Sequence, residues 1–183
     1  SHILDPAFLA RDGHVLVCED MYYRQWASAA TSAQGVWLQP VFTYALETDR
    51  IDRERYRQLL VGLAGRRHDH LSLSGQDLTD ALIGDRTEEL YEFAAVAQFI
   101  GGKNADLLSH VNVAKAFLLH IWSATAKVEG QKRERGTSLI VENLTRFTGS
   151  NRGLALALLT AGMSQSATDC LKAWMTAKSI ATA

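Results

Sequence analysis

His14-Val15-Leu16-Val17-Cys18-Glu19-Asp20, then Met21 to Thr31, then Gly35-Val36-Trp37-Leu38-Gln39-Pro40, is the stretch whose reading decides the fold. The apolar run 14–18 is entered through Asp12-Gly13 and left through two acids. Short, β-branched and bounded in this way, it reads as a buried strand that delivers carboxylates to its C-terminal end. Met21 to Thr31 holds Tyr22, Tyr23, Trp26 and several alanines with no breaker, which predicts a helix. Gln34-Gly35 reads as a turn, and Val36-Trp37-Leu38 as a second short strand closed by Pro40. Strand, helix and strand in so few residues make a small βαβ unit, with parallel strands and a right-handed crossover.

Outward from this unit the pattern is helical. Pro6 and Pro40 are the only prolines, so the rest of the chain lacks the strongest helix breaker. Val41 to Glu47 predicts a short helix. Asp49 or Asp52 caps the next, with Ile51, Tyr56, Leu59, Leu60 and Leu63 on its apolar face and Arg53, Arg55 and Arg57 outside, up to Gly65. His68 to Leu73 permits a third short strand. Ser74 with Asp77, Asp85 with Glu88, and Ser166 with Asp169 each have capping-box spacing and predict helix starts. The second of these helices runs through Leu90, Phe93, Ala94, Ala97 and Ile100 to Gly101-Gly102. Leu107, Leu108, Val111, Ala114, Phe117, Leu118, Ile121 and Trp122 keep helical spacing within a helix from Asn104 to about Lys127. Glu129 to Gly136 is charged and without large apolar residues, which predicts an exposed loop and the best internal boundary. Helices over Ser138–Phe147, Asn151–Met163 and Ser166 to about Ile180 complete the reading. The fold class is α/β, predominantly helical: a small parallel strand pair followed by a helical C-terminal region. Residues 1–128 form the α/β portion with its helical extension and residues 137–183 a helical segment packed on it, or the whole is one domain.

The chain has 183 residues, 47% hydrophobic and 21% charged, enough for a core of ordinary size. Nineteen Lys and Arg against twenty Asp and Glu give a net charge of -1, which excludes the strongly basic balance of a general nucleic-acid binder. Cys18 and Cys170 have no CxxC spacing, so neither a zinc site nor a disulfide framework is indicated, and a reducing cytoplasm is the simplest setting. No apolar run is long enough to span a bilayer, and the N-terminus has no signal core, so no membrane partner is expected. The start at Ser1-His2, without Met, reads as a cleaved chain or as an excised piece of a longer polypeptide.

The candidate chemistry is sparse. Glu19 and Asp20, adjacent at the end of a buried parallel strand, lie where α/β sheets bind ligands, and carboxylate oxygens suit Mg²⁺ or Mn²⁺. The same acids also suit a helix N-terminus, where the dipole favours negative charge. His68-Asp69-His70 places two imidazoles on one face of an extended segment, but no third or fourth ligand accompanies them, which favours a surface turn beside Arg66 and Arg67. His110 and His120, ten residues apart on one helix, are about 15 Å apart along its axis and read as ordinary helix residues. Cys18 reads as a small buried hydrophobe. Arg66-Arg67 and Lys132-Arg133, with Arg135, are the basic clusters able to meet phosphates or to stand as solvated loop charges. There is no Gly-rich phosphate loop, GxSxG elbow or HExxH pattern.

The order Val-Leu-Val-Cys-Glu-Asp, helix, Gly-Val-Trp-Leu-Gln, Arg/Tyr-rich helix and His68-Asp69-His70-Leu71-Ser72-Leu73 resembles the C-terminal part of a PIN-like domain. The type is one found in bacterial proteins with tetratricopeptide and Gre-factor segments. The resemblance covers roughly residues 10 to 75. It implies a metal-dependent ribonuclease in which acids from at least three positions converge on Mg²⁺ or Mn²⁺ and activate a water against a phosphodiester. Carried onto this chain, the catalytic and metal-binding acid is Asp20, with Glu19 beside it as a further ligand, and no other residue is matched; Arg66, Arg67, Lys132 and Arg133 are the basic residues that such a module would use to bind RNA. The family's opening strand, ending in the first Asp, and the helix with the second acid have no counterpart before Gly13. The expectation is therefore a nuclease-related module with an incomplete acidic site. The alternative is a non-catalytic helical module that docks onto other segments of its parent protein or onto a protein partner.

Overall fold

In the computed structural model, which describes residues 5–10, 13–66, 71–101, 106–147 and 150–177, the run at 14–18 forms β1 (Val15–Val17). Met21–Thr31 forms α2, and β1 pairs in parallel with β2 (Gln34–Val36), Leu16 opposite Gly35. An additional helix, α1 (Asp5–Ala10), precedes β1. The second strand thus lies two residues upstream of its expected place. Trp37 is already the N-cap of α3 (Leu38–Glu47), and Pro40 sits in that helix's first turn, where a missing N–H removes no intrahelical bond. Gly35, paired with Leu16, has the Arg24 side chain lying across it: a Cβ there would be 3.0 Å from Arg24 Cγ.

The chain divides into two compact units, residues 1–59 and 60–183, and the division falls inside α4 (Arg53–Gly65). In the first unit the buried cluster is Ala7, Ala10, Leu16, Ala27 and Ala33, with Cys18 and Tyr23 partly buried against it. Four of these five are alanines, so little apolar area leaves water. Thr31 ties α1 to α2 by donating to the Ala7 and Ala27 carbonyls. Asp52 caps α4, accepting from the Arg55 amide at 2.7 Å. Arg57, expected outside, is buried and forms a two-pronged pair with Glu54, both contacts 2.7 Å. Nine of the fourteen exposed large apolar side chains among the described residues belong to this first unit, Phe8, Leu9, Val15, Val17, Tyr22 and Tyr44 among them.

The second unit holds the larger core. Helices α5 (Gly75–Gly84), α6 (Tyr91–Ala97), α7 (Leu107–Ile121), α8 (Gly130–Leu144), α9 (Ser150–Thr160) and α10 (Gln165–Ala177) share one cluster that includes Leu78, Leu82, Phe93, Phe117, Ile140 and Leu159. Phe93 and Phe117 stack at 5.4 Å. The box at Ser74 and Asp77 forms in both directions, and Asp106 caps α7. Several expectations are corrected. Glu129 to Gly136 is not a loop: α8 begins at Gly130, and Gly136 and Thr137 are buried. Asp85 does not box with Glu88 but accepts from Thr87 and Phe93. Ser164, rather than Ser166, meets the first turn of α10, its hydroxyl accepting from the Ala167 amide. α7 ends at Ile121, short of Lys127. The proposed strand over His68–Leu73 lies partly outside the described residues, and Leu71 to Leu73 are not in a strand. Among the described residues no helix is long and apolar enough to cross a membrane.

Candidate functional site

Parallel pairing puts the C-terminal ends of β1 and β2 on the same edge, and each strand runs almost directly into a helix. That edge therefore carries the N-termini of α2 and α3, whose first amides have no intrahelical acceptor. The two acids of the β1–α2 connection occupy these places. Asp20 is the N-cap of α2, its Oδ1 accepting from the Tyr23 amide at 2.9 Å. Glu19 reaches the other helix: its Oε1 accepts from the Leu38 amide at 2.7 Å, on an α3 whose own N-cap, Trp37, supplies no side-chain bond. Both acids are exposed. Cys18 is half-buried against the small core, its carbonyl accepting from Arg24, whose guanidinium lies 5.2 Å from the Trp37 ring centroid. Arg24 thus links the end of β1 to the start of α3, a role its sequence position alone did not announce.

Two carboxylates each engaged with a helix N-terminus are a weak start for a divalent cation. Among the described residues no group of three or more His, Cys, Asp or Glu side chains is placed to hold a metal ion, so Glu19 and Asp20 do not by themselves fit Mg²⁺ or Mn²⁺. Comparison with family models, curated proteins and solved structures finds no match. The site therefore rests on its own geometry.

The basic residues expected to meet phosphates fall in the second unit, and Lys132, Arg133 and Arg135 bond to carbonyls. Lys132 donates to the Ile83 and Asp85 carbonyls at the end of α5. Arg133 donates to the Val128 carbonyl at 2.9 Å and lies over the Trp122 ring, and Arg135 bonds to the Glu88 carbonyl. Cations are favoured at helix C-termini, so the start of α8 is fastened to the end of α5. Arg66 is exposed just after α4, and Arg67 with His68-Asp69-His70 lies outside the described residues. A polar cleft of about 500 Å³ lies between these segments, lined among others by Arg86, Glu88, Glu129, Lys132 and Arg135.

Two further residues have roles the spacing rules missed. Asp85, 1% exposed, accepts from the Thr87 amide (2.9 Å), the Thr87 hydroxyl (2.6 Å) and the Phe93 amide (2.9 Å). Burial works to raise its pKa, but these bonds and one from the Glu92 amide outweigh it, and the carboxyl is held below its ordinary value. Leu90, the N-cap of α6, is left-handed and caps nothing with its side chain, so Asp85 serves in its place. His110, read as an ordinary helix residue, accepts a backbone bond from Gly101 at 2.9 Å.

Proposed function

We propose that this chain acts as a protein-interaction module whose first unit docks an extended apolar segment of another polypeptide. The supporting observation is the exposure of β1 and its neighbours. Val15 and Val17 are 51% and 50% exposed, Phe8 and Leu9 51% and 73%, and together they flank a groove of about 530 Å³ lined by α1 and all of β1. Parallel sheets are normally covered on both faces, and two strands of three residues bury too little to stand alone. Parallel pairing with β2 uses the backbone groups of Leu16 and Cys18, which turns those of Val15 and Val17 toward the opposite edge. An added strand would meet both that edge and the apolar groove, the recognition mode of β-augmentation.

A second reading, a nuclease-related module of PIN-like type acting on RNA with Mg²⁺ or Mn²⁺, is favoured by one feature: adjacent acids at the carboxyl end of a parallel strand. Its remaining ligands would come from outside the described residues. One experiment with two arms separates the readings. Selection of short displayed peptides on the intact chain should enrich sequences with apolar residues at alternate positions, whose binding is lost in Val17→Lys. In the other arm, single-stranded RNA is incubated with Mn²⁺. Cleavage that vanishes in Asp20→Asn would establish the nuclease reading instead, because Asn caps a helix as well as Asp and the fold is preserved. Peptides indifferent to Val17→Lys would sink the docking reading.

A further inference from the structure

The end of α6 is a junction of three helices. Gly101 closes the segment with φ +81°, a conformation open to glycine, and a Cβ on it would overlap the Asn143 carbonyl of α8. Asn143 in turn donates to the Ala97 carbonyl and Arg146 to the Gln98 carbonyl, both at 2.8 Å, so α8 and the residues after it satisfy the last carbonyls of α6. The Gly101 amide points the other way, to Nδ1 of His110 on α7, at 2.9 Å. The imidazole also meets the Phe147 ring edge-on at 6.4 Å. A nitrogen that accepts an N–H carries a lone pair, so this bond requires a neutral His110 ring with its proton on Nε2.

We infer that His110 is a proton-operated latch on the α6–α7 connection, holding the Gly101 amide when neutral and releasing it when protonated. Protonation places an N–H on Nδ1, and two donors then face each other with no acceptor between them. Gly101 cannot turn toward another partner without moving, because its α-carbon is packed against Asn143. Of the charged groups nearby, Asp106, the N-cap of α7, acts on the ring and favours the imidazolium, while Arg146 donates to the Gln98 carbonyl. Burial of the ring is the larger influence and lowers its pKa below the ordinary histidine value, with Asp106 opposing. The latch is therefore closed at neutral pH and opens in mild acid.

Hydrogen exchange on the ¹⁵N-labelled intact chain tests this. The protection of the Gly101 amide, normalised to the intrinsic rate at each pH, should be constant near neutral pH and fall about tenfold once the pH drops well below the ordinary histidine value of about 6.5. In His110→Asn the side-chain oxygen, attached to Cγ as Nδ1 is, can accept the same bond without titrating, and protection should not change with pH. Constant protection in the native chain, or an equal fall in His110→Asn, overturns the proposal. So does an imidazole ¹⁵N spectrum with the proton on Nδ1 at neutral pH, a measurement that needs no variant.

Discussion

At the scale of the residue, Asp85 shows how one carboxylate organises a turn. It closes α5 with its backbone and, eight residues ahead, receives the Phe93 amide in the first turn of α6. Replacing it by Asn keeps the shape but turns one acceptor oxygen into a donor that faces N–H groups. The buried amides would lose their charged acceptor, so Asp85→Asn should destabilise the chain by roughly 2–4 kcal/mol in chemical denaturation. The pH dependence has a definite sign. With the folded pKa depressed, the Asp85 contribution is complete at neutral pH and above the ordinary carboxylate value of about 3.9, and it is lost as the pH falls through the lower folded value. The acid limb of the stability curve should therefore be shallower in Asp85→Asn, and an unchanged limb would disprove the assignment. Asp85 was legible in the sequence as a polar residue at a helix boundary. Its partner was not, because capping rules reach three residues and Phe93 is eight away. Glu19 was hidden for the same reason: the helix it caps begins nineteen residues later. Asp20, whose partner is three residues on, was placed correctly at the start of α2 by its position alone.

At the scale of the element, glycines separate helices held by packing from helices held by propensity. Gly75 is the first residue of α5, and a Cβ there would lie 2.6 Å from Ala116 Cβ and 2.7 Å from the Phe117 nitrogen on α7. Backbone cannot yield as a flexible side chain can, so Gly75→Ala should cost about 2 kcal/mol or more by forcing α5 off α7. Gly62 is exposed within α4, and a Cβ added there would meet no atom within 4 Å. There the change to Ala only removes backbone entropy from the unfolded chain and should stabilise by about 0.5–1 kcal/mol. Thermal melts of the two variants should move in opposite directions, and parallel shifts would refute the packing argument. The same distinction explains which elements could be read. α2 and α7 carry their large apolar residues at helical spacing, and both were legible, α7 with its end overextended. The first half of α8 was not, because it buries Gly136 and Thr137 rather than large side chains and is fastened by Lys132 and Arg135 to carbonyls nearly fifty residues earlier. A charged run that bonds at such range has no local signature. The shift of β2 by two residues has a similar origin, since Gly35 pairs with Leu16, nineteen residues earlier, and Pro40 is tolerated inside a first turn.

At the scale of the whole molecule, the two units differ in how much apolar surface each removes from water. Residues 60–183 bury Leu78, Leu82, Phe93, Phe117, Leu118 and Ile140 at or near zero exposure in one continuous cluster. Residues 1–59 bury a cluster of four alanines and Leu16, while aromatic and branched side chains on α1, β1 and α2 remain exposed. A buried Leu or Phe contributes about 1.5–3 kcal/mol relative to exposure, and alanines contribute far less, so local stability cannot be uniform along the chain. The composition of the first forty residues hinted at none of this, because an apolar strand reads alike whether its faces are covered or open. In native-state hydrogen exchange, the amides of Leu16 and Cys18 should therefore exchange through openings of small free energy and weak denaturant dependence. Those of Phe117, Leu118 and Ile140 should exchange only through the global transition, with a denaturant slope matching that of equilibrium unfolding. Equal free energies and equal slopes at the two sets would mean that the chain unfolds as one cooperative unit. An added peptide that pairs with the open edge of β1 should protect the amides of Val15 and Val17 directly and raise the protection of Leu16 and Cys18 with them, because binding stabilises the state it needs and that unit has the most to gain.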